Sequence, residues 1–128
     1  MGAIAGIYRF YGQPVHLGDG ELIMSAMDAY PADRRALWHK SHVIMGCLAQ
    51  WITEEAVDET LPYYDPQRGL AITADAILDN RDDLMDQLQV PHPVRAIMTD
   101  SEVMLLAYEK WSEAMAEHLT GDFAFVIW

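Results

Sequence analysis

The sequence predicts an α+β domain of stacked helices and sheets, and three observations carry that expectation. Strand-like and helix-like apolar spacings take turns along 128 residues, 52% of them hydrophobic, enough for one domain with its own core. Two runs, "VIMGCLAQWI" and "FAFVIW", are apolar at successive positions, which predicts strands buried on both faces. The order strand, helix, strands, helix, helix, strand departs from the strict alternation of a doubly wound parallel sheet. Such strands fit either a sheet between helical layers or two stacked sheets with helices outside. The element order favours the second, a four-layer helix–sheet–sheet–helix sandwich.

Taken in order, Ile4 to Phe10 reads as the first strand, closed by the turn-like "YGQP". A helix follows from about Gly20 to Tyr30, with Leu22, Ile23, Ala26, Met27 and Tyr30 on one face and Pro31 as its stop. Leu37–His39 and Val43–Ile52 read as two strands joined near Lys40-Ser41-His42. Leu70–Leu78 is another strand, after which Asn80 caps a short helix with Leu84, Met85 and Leu88 on its inner side. Beyond the loop "VPHPVRAIM", Thr99-Asp100-Ser101-Glu102 matches a capping box that opens a long amphipathic helix to about His118. The chain then closes on the strand "GDFAFVIW".

Charge removes several function classes. Twenty acidic against eight basic residues give −12, which repels phosphate backbones and anionic lipid alike, so neither nucleic acid nor a membrane surface is an expected partner. No run approaches the ~18 apolar residues of a membrane span, and the N-terminus lacks a signal-peptide pattern, which predicts a cytoplasmic protein. Its single cysteine, Cys47, fits a reducing compartment and sits mid-strand among Met45, Leu48 and Trp51 with no cation beside it, the setting of a packed, inert thiol. His39 and His42 flank a turn with no carboxylate close by and read as solvated rather than metal-ligating. The acidic stretches 54–59 and 79–86 read as wet faces, with a docking role as the alternative.

Four segments, "GAIAGI", "LAITADAILDNRDDL", "TDSEVMLLAYEKW" and "GDFAFVIW", stand in the order found in the N-terminal domain of asparagine synthetases. The chain resembles that class II glutamine amidotransferase domain of the N-terminal-nucleophile type, and its details are most similar to the macrolactam synthetases that cyclise lasso peptides. The resemblance implies one domain over residues 1–128, lacking its final strands and a C-terminal synthetase domain. ATP and Mg belong to that absent domain, and no cofactor is expected in this chain. It also predicts self-association through the strand "FAFVIW", whose next neighbour is missing.

The same resemblance implies a site that has lost its chemistry. Where the family exposes a nucleophilic cysteine after removal of Met1, this sequence has Gly2, which supplies neither sulfur nor oxygen. The family's His-x-Arg, whose arginine holds the glutamine carboxylate, falls on Cys47-Leu48-Ala49. Its Asn-Gly-Glu, which stabilises the oxyanion, falls on Thr73-Ala74-Asp75. Asp100 matches the aspartate that holds the substrate's amino group, although an aspartate opening a helix inside a capping box has a sufficient structural reason to be there. In "YPADRRALW", only Asp33 and Trp38 fit the family's substrate-closing loop. The expectation is a degenerate glutaminase-like domain with no catalytic residues, scaffolding an amide-forming synthetase whose amine comes from its own substrate. A working glutaminase and a module that binds a precursor peptide or partner protein are the alternatives.

Overall fold

The computed structural model describes residues 2–128; Met1, whose removal the nucleophile reading invokes, lies outside them. The described residues form two three-stranded antiparallel sheets with helices packed on them, an α+β architecture. The first sheet has β1 (Ala3–Tyr8), β2 (Arg34–Lys40) and β3 (Val43–Ala49) in the order β1-β3-β2. The second has β4 (Tyr63–Asp65), β5 (Leu70–Leu78) and β6 (Gly121–Ile127) in the order β4-β5-β6. The helices are α1 (Leu17–Ala26), α2 (Glu54–Val57), α3 (Arg81–Gln87), α4 (His92–Arg95) and α5 (Asp100–Trp111). α1 packs on the first sheet, α5 on β5 of the second, and β1 and β3 meet β5 between them.

β3 is buried on both faces from Val43 to Leu48, as its unbroken apolar run predicts. Ile44 and Gly46 turn toward α1, while Val43 and Met45 cluster with Ala71 of the opposite sheet. Close approach of α1 depends on two glycines. A Cβ on Gly46 would lie 2.3 Å from Met24 Sδ, and one on Gly20 would lie 2.2 Å from Ile44 Cδ1. Between the sheets, Thr73 Oγ1 donates to Gly46 O at 3.1 Å and Cys47 Sγ to Ala74 O at 3.7 Å, so their polar groups are partnered in a region without solvent.

β6 corrects the expectation of burial on both faces. Phe123, Phe125 and Ile127 pack on the core that includes Val103 and Leu105 of α5. The intervening residues Asp122, Ala124 and Val126 pair in register with Ile77, Asp75 and Thr73, and they stand open. The physical reason is position: β6 borders its sheet, and the first sheet ends at β1, so no element among the described residues covers that face.

Helix α1 starts three residues before the expected Gly20 and stops at Ala26, not Tyr30. Its inner face holds Gly20 and Met24, whereas Leu22 is 71% exposed and Tyr30 is also outside the core. The glycine contact selects that face, and a count of apolar residues missed it. Phe10 leaves β1 for a short 3₁₀ turn, Phe10–Gly12, and β3 ends at Ala49 rather than Ile52. The expected β2 strand Leu37–His39 extends to Arg34–Lys40, while α2, α4 and β4 were not anticipated. β5 matches its expected span, and the capping box of α5 is complete. The long helix, however, breaks at Ser112 (φ 50°) and continues as a 3₁₀ turn to His118. Asn80 does not cap α3; its Nδ2 donates to His118 O at 2.8 Å and its Oδ1 accepts from Thr120 N at 2.9 Å, tying the approach to β6.

Candidate functional site

The start of β1, the end of β3 and the middle of β5 converge where the sequence reading placed its site. Gly2 N–H donates to Asp75 Oδ1 at 3.2 Å. Antiparallel register fixes this meeting, because Ala3 pairs with Leu48 and β1 therefore runs out beside the last residues of β3. A Cβ on Gly2 would stand 2.6 Å from Leu48 O and 3.0 Å from Asp75 Oδ1. Any side chain at position 2 therefore needs the strand ends to shift.

Ala49, Ala74 and Asp75 line a half-open cavity of about 30 Å³, with Ala56 and Glu59 of the α2 segment also on its wall. That is room for about one water, whose share of liquid volume is ~30 Å³. Thr73 does not line it; its hydroxyl faces β3 and is spent on Gly46 O. Asp33 bonds to the same end, accepting from Trp51 N at 2.8 Å while its own N–H donates to Ala49 O at 2.8 Å.

Asp100 lies apart from the cavity lining, in a cluster of its own. Arg81 Nη1 donates to Asp100 Oδ1, and Arg81 Nη2 donates to the carbonyls of Met98 and Arg95. The pair is largely removed from water, with side-chain exposures of 15% and 11%. Burial pushes the Asp100 carboxyl up, and the Arg81 guanidinium offsets part of that rise. Next to it Glu59 Oε1 accepts from Ser101 N at 2.7 Å, holding the first turn of α5. Burial raises the Glu59 carboxyl as well, against the lowering effect of its bonds to Ser101. The fold thus brings Ala49, Ala74 and Asp75 to one cavity, with Gly2 bonded to Asp75 beside it, and leaves Thr73 and Asp100 out of its lining.

Three participants escaped the sequence reading. Arg34 pairs directly with Ala49 across β2 and β3, bringing a cation opposite the alanine, and its Nη1 donates to Thr60 Oγ1 at 3.2 Å. Arg81 and Glu59 were missed because their partners lie 19 and 42 residues away. The signal available for Arg81 was its place just after Asn80 in "LDNRDDL"; nothing local marked Glu59.

Cys47 is buried in β3, and removal from water pushes its thiol up to about 11, so it is not poised as a nucleophile. Glu55 and Asp79 join Asp82, Asp83, Arg81 and Arg95 around a wider crevice of about 400 Å³. Among the described residues, no three His, Cys, Asp or Glu side chains converge on a metal position, and no helix is long and apolar enough to cross a membrane.

Residues 48–128 match the family described as Glutamine amidotransferase domain. No curated protein matches the chain.

Proposed function

The chain belongs to the glutamine amidotransferase domain family, and from that premise we propose that it is a non-hydrolytic member, keeping a scaffold of the N-terminal-nucleophile type without the groups that open glutamine. The observation that carries this reading is the cavity at Ala49, Ala74 and Asp75, about 30 Å³ in volume. Ligand pockets run to roughly 300 Å³ and more, well above the space these residues leave. Gly2 adds to it, since that position offers no nucleophile and its surroundings leave no space for one. The stacking of α1, two sheets and α5 supports the four-layer form.

In this reading the domain braces an ATP-dependent amide-forming synthetase of the asparagine synthetase kind, nearest in motif content to those that close lasso-peptide macrolactams. There the precursor peptide supplies its own amine, and ammonia from glutamine has no use. ATP and Mg act in that cytoplasmic partner and not among the residues described above.

The test is glutamate release from millimolar glutamine by the wild type and by Gly2→Cys, with loss of Met1 checked by mass spectrometry. No release by either is the expected result. Release by the wild type above a heat-killed control replaces the proposal with a working glutaminase. Release by Gly2→Cys at about one per second, within the ordinary range of enzymes, shows that the rest of the site is intact.

A further inference from the structure

A groove of about 420 Å³ runs between the outer edges of the two sheets, with Ala5 to Tyr8 of β1 on one side and Val126 and Trp128 on the other. β1 and β6 are edge strands of their sheets, and Val126 of β6 is 49% exposed at the groove. None of its lining residues is an acid or a base of the Asp, Glu, Lys or Arg type. Tyr8, His42 and Trp128 stiffen one end as a row of edge-to-face rings, 5.1 and 5.6 Å between centroids.

Beside this hollow stands a projection. Phe10 meets Tyr8 edge-on at 5.3 Å and is 71% exposed, and Tyr11 is fully exposed at the tip of the turn with φ 63°. A tyrosine held in the left-handed region with its ring in water is an uncommon conformation. An apolar hollow and an aromatic projection on one surface are self-complementary, and a two-fold axis between them lets each fill the other and closes the assembly at two.

Charge selects the same occupant. Residues 1–50 hold four Lys or Arg and four Asp or Glu, whereas residues 51–128 hold four and sixteen, so the second stretch carries the whole net charge of −12. Two copies can meet only where acidic surfaces stay apart, and the Phe10–Gly12 turn, β1 and the uncharged groove provide that meeting place.

We propose that this face is a self-association surface, on which a second copy of the chain seats its Phe10–Tyr11 turn in the groove between β1 and β6 while receiving the same turn in its own. The inference is independent of the glutaminase reading. The experiment is sedimentation velocity on the 128-residue chain over roughly 1 to 100 μM, since a dimer reveals itself by mass action. A dimer with a dissociation constant in the tens of micromolar is expected. Tyr11→Asp, a residue type that tolerates left-handed backbone, weakens it at least about tenfold. Val126→Lys weakens it from the groove side. Ile97→Asp, at an exposed site in the acidic stretch, leaves it unchanged. Higher salt tightens the dimer by screening the −12 charges. A monomer at every concentration overturns the proposal, and so does a dimer indifferent to Tyr11→Asp, weakened equally by Ile97→Asp, or loosened by salt. If Val126→Lys fails to fold by circular dichroism, Tyr11→Asp alone decides.

Discussion

The cavity beside Gly2 and the cluster around Arg81 and Asp100 are two places where this domain brings polar groups together, and they differ in what satisfies them. At the first, small residues leave about 30 Å³ and one backbone bond to Asp75. At the second, a guanidinium meets a carboxylate and two carbonyls. The lesson is that an acidic residue matching a substrate-binding position can find its cation within the fold, while the neighbouring pocket is left small by the residues that pack around it.

The largest expected effect comes from breaking the satisfied cluster. Arg81→Met strands a buried Asp100 and uncovers two carbonyls, which costs about 3–5 kcal/mol. At roughly 3–5 °C per kcal/mol for a chain of this size, the melting temperature falls by at least about 10 °C. Arg81→Met with Asp100→Leu restores most of the loss if the pair is structural. A single-variant change under about 1 kcal/mol contradicts that role.

Gly2→Cys probes the other side and ranks second. Its Cβ would stand 2.6 Å from Leu48 O, so denaturant unfolding is expected to show a loss of about 1–3 kcal/mol from overpacking. An unchanged midpoint would mean that the strand ends yield freely and that position 2 has room after all.

Thr73→Val follows. It removes the side-chain donor to Gly46 O in a buried setting, at a cost of about 1 kcal/mol, whereas Thr73→Ser keeps the hydroxyl and the stability. Equal losses in both variants would assign the effect to the methyl group instead.

The smallest effect is a slope. Glu59 and Asp100 both have carboxyls raised above their ordinary values in the folded state, so the fold binds protons more readily than the unfolded chain. Stability from this source is present at low pH and is lost as pH rises through the raised values. Thermal melts from neutral pH toward pH ~5 are expected to show rising stability, and Glu59→Gln, which keeps an acceptor for Ser101 N, flattens that rise relative to the wild type. Parallel curves for the two proteins would remove Glu59 from the account.

Local pattern made β5 and the capping box of α5 legible, because strand spacing and the Thr99–Glu102 exchange act over a few residues. It made β3 legible too, since a central strand between two packed layers is apolar at every position. β6 has the same kind of sequence and a different environment. An edge is a property of the whole sheet, and no residue of "FAFVIW" records it. The face of α1 was misread for a related reason: Gly20 marks it through closeness to Ile44, and hydrophobicity does not register closeness. At the site, the identities of Gly2, Ala49 and Thr73 were plain in the chain, but Arg81's hold on Asp100 and Glu59's on Ser101 are long-range pairings.

The small cavity at Ala49, Ala74 and Asp75 is the centre of the account, and glutamine binding tests it most directly. With amide resonances of the wild type followed during titration to about 10 mM glutamine, the account predicts no saturable shift at Ala49, Ala74 or Asp75, which corresponds to binding weaker than about −2.7 kcal/mol. Saturable shifts at those three amides, with a dissociation constant below about 1 mM, would show that the slot opens to a substrate and contradict the account.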